Sequence, residues 1–444
     1  MAQLLKLKKY QAEAVEFINS RRYTLLADEM GLGKTAVAIT AGASARKILI
    51  ICPSFLRLNW LRELKLWRAD FNDLHIQIVD NGKQKIHADI IITSFSLVSS
   101  PLIHKQLTRK KYDFLIVDES HYLKSPTAAR TQHILGDGRK IRGVFAKAAR
   151  VVLMTGSPMV NHAGEVFTTL VRFNPSQLKK SHLHTYMNFC LKFCYMKDNR
   201  GEITPQKVRN ELLLKQLLRP FMLRRLKSEV LKELPAKQKQ IIALDLNPTL
   251  KKLVKEEQGY SIGDVEKLYR SQDTQHIKDL KESEYEALAT IRRRVGEAKV
   301  NLIVPHLLND LEQVEKIVIF AWHINVIDAL SLALQKYNPV TMTGSHSPKV
   351  RQKAVDDFQT DKSVRIFIGQ MKSAGVGLTL TASSRVYFAE SWYVPGDIEQ
   401  AIDRCHRIGQ KDNVLAKFFI VPDSLDERIL DSALTKQKYI DKVV

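Results

Sequence analysis

Phe114-Leu115-Ile116-Val117, running into Asp118-Glu119-Ser120-His121, decides how this chain is read. An uninterrupted apolar run of this kind predicts a strand covered on both faces, as in a parallel sheet. Asp118 and Glu119 then stand at the carboxyl end of that strand, where α/β sheets present their ligand crevice. One carboxylate there can hold Mg²⁺ and its neighbour can orient and deprotonate a water. By itself an Asp-Glu pair would only end a strand. It gains chemical meaning from a loop far upstream.

That loop is Asp28-Glu29-Met30-Gly31-Leu32-Gly33-Lys34-Thr35, between the strand-like Tyr23-Thr24-Leu25-Leu26-Ala27 and an Ala/Val/Ile-rich helix beginning at Ala36. Strand, glycine loop and helix together make an anion cradle. Backbone N–H groups around Gly31 and Gly33 face the phosphates, Lys34 reaches the β- and γ-phosphates, and the Thr35 hydroxyl ligates Mg²⁺. The general pattern asks for a glycine where this chain has Asp28. That departure is the one irregularity of the loop.

Working outward, Lys47 to Cys52, Asp89 to Ile92 and Arg150 to Met154 are further buried strands, the last closing on Thr155-Gly156-Ser157-Pro158. Strands alternating with helices predict a doubly wound parallel sheet. From about Phe173 the strand pattern stops and a mostly helical stretch is expected. Within it Pro205 to Gln240 holds Lys207, Arg209, Lys215, Arg219, Arg224, Arg225, Lys227, Lys232, Lys237 and Lys239 against three acids. His182, His184, Cys190 and Cys194 could suggest zinc, but cysteines four apart on an aromatic-rich helix are read as core packing. Strands resume at Lys316–Phe320, Val340–Thr343, Val364–Ile368, Arg385–Ala389 and Val414–Phe419, with no second phosphate loop. This second set carries Gly375-Val376-Gly377 and the run Gln400 to Gln410. A helix predicted from Pro395 to His406 would put Arg404 and Arg407 on one face, able to neutralise charge on a γ-phosphate.

The chain has 444 residues, with 69 Lys plus Arg against 47 Asp plus Glu, a formal charge of +22. Such a surplus implies a polyanionic partner, nucleic acid before membrane. No stretch reaches the ~20 apolar residues of a membrane span, and the first ten lack a signal-peptide core. Four cysteines suit a reducing compartment.

Assembled, these residues resemble the Swi/Snf-like family of superfamily-two DNA translocases, nearest its fork-remodelling, strand-annealing branch. Leu218-Arg219-Pro220-Phe221-Met222-Leu223-Arg224-Arg225-Leu226-Lys227, the following Leu234-Pro235-Ala236-Lys237, and Gln400 to Gln410 carry the resemblance most specifically. It implies two RecA-like parallel-sheet lobes with a helical basic insertion between them. The expected divisions are 1–172 for lobe one, 173–235 for an insertion belonging to it, 236–300 for a linker and helical start, 301–424 for lobe two, and 425–444 for a C-terminal helix.

The implied activity is a DNA-dependent ATPase using ATP and Mg²⁺, remodelling forks or migrating branches in replication, recombination or repair. The alternatives are a double-strand translocase without strand separation, an RNA helicase, or a nucleic-acid scaffold with a dead ATP site. The resemblance implies that Gln11 reads adenine and that Gly375 contributes to the nucleotide site. Lys34, Asp118, Glu119, Gln400, Arg404 and Arg407 would be catalytic, with His121 and Gln400 sensing the γ-phosphate. DNA contacts are expected at Ser54, Thr93, Ser94, Trp322, Gly344, Ser345, Arg351, Lys372, Trp392, Arg224 and Arg225. Ser157, Tyr393 and Gln370-Met371-Lys372 depart from the family pattern. A protein monomeric on its track is expected, cytoplasmic in a bacterial or phage-infected cell or nuclear if eukaryotic.

Overall fold

A computed structural model describes residues 6–138, 140–159, 162–199, 202–271, 282–374 and 378–443. The chain divides into two units, Met1–Lys232 with Lys438–Val444, and Glu233–Gln437.

The first unit is built on a seven-stranded sheet in the order β3-β4-β2-β5-β6-β1-β9. Its strands are β1 (Tyr23–Leu26), β2 (Ile48–Cys52), β3 (Ile76–Ile78), β4 (Ile90–Ser94), β5 (Tyr112–Val117), β6 (Ala148–Met154) and β9 (Met222–Leu223). Every pairing is parallel, so the carboxyl ends of all seven open on one edge. Ile48 to Cys52 and Phe114 to Val117 are buried on both faces, as their unbroken apolar runs require. Segments beyond Phe173 share this core: Leu178, Phe189, Phe193, Leu214 and Leu218 pack with it. That region also contains an antiparallel hairpin, β7 (Tyr195–Asn199) with β8 (Glu202–Gln206), in a stretch expected to be mostly helical.

The second unit has six parallel strands in the order β10-β15-β14-β11-β13-β12. They are β10 (Lys237–Ala243), β11 (Ile317–Ala321), β12 (Val340–Met342), β13 (Ile366–Gln370), β14 (Arg385–Phe388) and β15 (Val414–Ile420). The expected architecture of two parallel α/β lobes is the one observed. β10 lies in the stretch read as linker and helix. It is an edge strand paired only with β15, and its Lys-Gln-Lys-Gln start is largely exposed, so it lacks a buried strand's apolar run. Among the described residues no helix is long and apolar enough to cross a membrane.

A buried ionic cluster fastens the helices of this unit. The Lys299 ammonium, wholly buried on the Glu282–Leu311 helix, donates to Asp426 on the Leu425–Val443 helix and to the Phe419 carbonyl at 2.6 Å. Arg292 donates to Asp426 at 3.0 Å. Burial alone would raise the Asp426 pKa, but the Lys299 and Arg292 charges override it and hold the carboxyl well below the usual carboxylate range. A lowered carboxyl pKa contributes stability above the ordinary value of about 4 and loses it as pH falls below. Asp426→Asn should therefore cost ~3–5 kcal/mol at neutral pH, because it takes the carboxylate away from buried Lys299 and leaves Arg292 only its pair with Glu257 at 3.5 Å. Thermal melts should show the second unit's transition falling by about 10 °C. The difference from the parent should shrink toward pH 3.

Candidate nucleotide site and nucleic-acid face

The loop Asp28–Thr35 leaves the end of β1 and enters helix α2 (Lys34–Ala41). Gly31 and Gly33 hold φ of 82° and 79°, a left-handed conformation that a side chain would strain. A Cβ on Gly33 would also lie 2.4 Å from Gln11 Nε2. Gln11 is buried on helix α1 (Lys9–Asn19) and donates to the Leu32 carbonyl at 3.1 Å; the Tyr10 hydroxyl donates to the same oxygen at 3.2 Å. The residue expected to read the base thus grips the loop expected to hold the phosphates. Lys34 Nζ donates to the carbonyls of Asp28 at 2.7 Å and Glu29 at 3.2 Å, which pins the ammonium at the loop.

Asp118 and Glu119 stand at the end of β5, separated from β1 in the sheet only by β6. Asp118 is oriented from two sides. Its Oδ1 accepts from the Glu119 amide and its Oδ2 from the Trp60 indole of helix α3 (Arg57–Trp67), both at 3.0 Å. Its pKa is pushed up to about 7, first by burial and then by the Glu119 charge, with the Trp60 hydrogen bond and the Lys34 charge pulling it down. A like charge this close favours the protonated form of Asp118 until a cation comes between them. Hard oxygen donors from Asp118 and Thr35 suit Mg²⁺ completed by phosphate and water. Among the described residues no group of three or more His, Cys, Asp or Glu side chains is arranged to hold a metal by itself. The residues fit Mg²⁺ as a co-bound ion.

Glu119 adopts a left-handed backbone, φ 51°, uncommon for a non-glycine residue and characteristic of functional turns. Its carboxylate lies 3.3 Å from His121 Nδ1, which is also 3.2 Å from the Thr155 hydroxyl; that hydroxyl accepts from the Ser157 amide at 3.0 Å. The strand ends of β5 and β6 are thereby joined through one imidazole.

Arg224 and Arg225 require a correction. They were expected on DNA, yet Arg225 is turned onto the phosphate loop and Arg224 onto the chain just past the ends of β1 and β6. Arg224 Nη1 donates to the carbonyls of Ala27 at 3.1 Å and Gly156 at 3.2 Å. Arg225 makes a two-pronged pair with buried Asp28, Nε to Oδ1 at 3.0 Å and Nη2 to Oδ2. The departure of Asp28 from the general loop pattern is explained by this partner.

In the second unit the helix expected to reach His406 ends sooner, spanning Pro395–Ile402. Arg404 and Arg407 therefore do not share a helical face. Both lie in the turn that follows, where Arg404 Nη1 donates to the Leu378 carbonyl at 3.4 Å and Arg407 Nη1 to the Thr379 hydroxyl at 3.2 Å. Gln400 is buried on the helix, and Arg404 is 1% exposed. Gly375 lies outside the described residues, as does the side chain of Lys372.

The other expected DNA contacts divide. Ser54, Gly344 and Ser345 are exposed, and Arg351 secures the Gly344–His346 turn by donating to both end carbonyls, at 2.7 and 2.9 Å. Thr93 and Ser94 are buried, with Ser94 Oγ capping the following helix through the Leu97 amide. Trp322 and Trp392 stack on each other in the core, ring centroids 4.4 Å apart, and Trp392 Nε1 donates to Asp397. None of these four presents a free surface, so their expected DNA contact is not supported. In the basic run, Lys237 and Lys239 are paired with Glu399 and Lys227 is buried beside Glu29. Lys207, Arg209, Lys215, Arg219 and Lys232 remain exposed. His182 and His184 are exposed whereas Cys190 and Cys194 are buried and pack in the core.

Residues 10–299 match the SNF2-related domain. The chain belongs to the SNF2-related family. Residues 298–409 match the helicase conserved C-terminal domain, so the resemblance read from the motifs holds along both units. Among curated relatives, the mouse DNA annealing helicase and endonuclease ZRANB3 is 31% identical over 437 residues, covering 95% of this chain and 39% of that protein. The Caenorhabditis elegans SWI/SNF-related matrix-associated actin-dependent regulator of chromatin subfamily A-like protein 1 homolog is 30% identical, covering 95% of this chain and 59% of its own. An uncharacterized ATP-dependent helicase of Mycoplasma pneumoniae is 28% identical, covering 99% and 42%. The chain spans 39% to 59% of the length of these relatives.

Two members of this SNF2-related site escaped sequence reasoning. Trp60 gave no local signal, because its indole meets Asp118 only through the fold. The Asp28–Arg225 pair did leave a trace: a carboxylate inside an anion-binding loop demands a cation, and Arg224-Arg225 was the basic pair in hand.

Proposed function

We propose that this chain hydrolyses ATP to move along DNA and that its substrates are branched DNA, as in fork remodelling or branch migration. One observation carries the nucleotide part. The loop Asp28–Thr35, the Asp118-Glu119 pair and Thr155 all sit at the carboxyl edge of three adjacent strands, β1, β6 and β5.

In this reading Gln11 recognises the base, loop amides and Lys34 hold the phosphates, and Thr35 with Asp118 would hold Mg²⁺. That ion supplies charge neutralisation on the phosphates when bound. Glu119 takes the proton from the attacking water, oriented by His121. His121 passes the state of that site to Thr155 and the Ser157 loop. Arg404 and Arg407 of the second unit complete charge stabilisation during the cycle, with Gln400 and Gly375 contributing, a role that rests on the family resemblance. Contacts to the track fall on backbone phosphates, since a motor must step on any sequence. Ser54, Gly344, Ser345, Arg351 and Lys372 remain candidates for them.

Branched DNA is favoured over simple translocation by the exposed Lys207, Arg209, Lys215, Arg219 and Lys232, surface positive charge that a second DNA arm would meet. The annealing-helicase name of the mouse relative points the same way. The protein would act as a monomer, in the cytoplasm of a bacterial or infected cell or in a nucleus. Strand separation and migration of three-way and four-way oligonucleotide junctions test the proposal. ATP-dependent product on these junctions is expected. ATPase activity without product on any of them would end the branched-DNA reading.

A further inference from the structure

Arg225 is engaged from three directions at once. Its guanidinium holds Asp28 with two prongs, donates through Nη1 to the Tyr10 carbonyl next to Gln11, and stands 3.8 Å from Glu13 on the same helix. The backbone around it is tied as tightly. Leu25 N donates to Phe221 O and Ala27 N to Leu223 O, both at 2.8 Å, and Glu29 N donates to Arg225 O at 3.0 Å. Lys227 N donates to Glu29 Oε2 at 2.7 Å. The segment 221–227 thus runs along β1 as the seventh strand of the sheet and continues beside the loop. Five residues beyond Lys227, at Lys232, the first unit ends.

We propose that Arg225, acting through Asp28, is a positioning residue that fixes the phosphate loop against the base-reading helix. The inference rests on the nucleotide reading above. Asp28 is 1% exposed, and its fork geometry with Arg225 cannot be reproduced by a lysine's single point charge. Removing Arg225 leaves the Asp28 charge buried, removing Asp28 leaves the Arg225 fork without its two-pronged partner, and either change leaves the loop free to shift against Gln11 and Leu32. A loop displaced in this way would cost the nucleotide its aligned amides before it touched the Glu119 chemistry.

The test uses the full chain and fluorescently labelled ADP with Mg²⁺, with Arg225→Lys, Arg225→Gln, Asp28→Asn and the Asp28→Asn/Arg225→Gln double variant. Each single variant should weaken ADP binding and raise KM for ATP by about tenfold or more, with kcat within about threefold. The double variant should be no worse than the worse single one, since the two residues act as a unit. Thermal melts accompany every variant. A KM and Kd unchanged within twofold in all singles would overturn the proposal, and so would losses in kcat and melting temperature that account for the whole defect. Failure of the parent protein to bind ADP would instead sink the nucleotide reading itself.

Discussion

Replacing Glu119 by Gln lowers ATP turnover by about a thousandfold and leaves ADP affinity within about threefold of the parent. Glutamine keeps the shape of the side chain but cannot accept the proton of the attacking water. The partners that position the residue, His121 and through it Thr155, are still in reach. The change also removes one of the two negative charges crowded at the end of β5. Because the Glu119 charge helps raise Asp118, the Asp118 pKa should move back down toward the ordinary carboxylate range. Mg²⁺-dependent nucleotide binding should then persist to lower pH than in the parent. Steady-state turnover and a pH series of ADP binding check both halves. Turnover within tenfold of the parent would remove Glu119 from the proton-accepting role.

Lys34→Ala is expected to lower turnover by at least about a thousandfold as well, but through a different route. The ammonium is held by the Asp28 and Glu29 carbonyls at the mouth of the loop, where the phosphate charge would lie. Without it, affinity and rate should fall together, whereas Glu119→Gln separates them. The Asp118 pKa should rise, because the Lys34 charge is one of the influences that lower it. Ligand-dependent melting supplies an independent readout: Mg²⁺ and ATP should raise the parent's first transition and leave that of the Lys34 variant unmoved. A variant that still shifts with ATP and turns over near the parent rate would show that the phosphates are held elsewhere.

These expectations were legible in the sequence because they rest on local chemistry. Phe114 to Val117 is the apolar run that a doubly covered strand needs, and Gly31, Gly33, Lys34 and Thr35 are the residues an anion cradle needs whatever surrounds them. The same logic failed where a residue's role depends on what faces it. Trp322 and Trp392 were read as DNA contacts, but the fold stacks the two rings against each other. Arg224 and Arg225 were counted in a basic surface, although Asp28 claims one and two carbonyls claim the other. Lys237 and Lys239 belong to an edge strand whose charges meet Glu399, so neither the strand nor the pairing showed in a periodic pattern. The helix bearing Gln400 stopped short of Arg404 because Asp403 closes its last turn, a boundary that spacing cannot fix.

ATP hydrolysis followed at fixed low salt, with no DNA and then with single-stranded, duplex, forked and four-way DNA in turn, puts the motor claim to its most direct test. Duplex and branched DNA should raise the rate at least about tenfold, with branched forms highest and the effect fading as salt is raised. A rate indifferent to every DNA form, in a preparation whose hydrolysis is abolished by Lys34→Ala, would contradict the account.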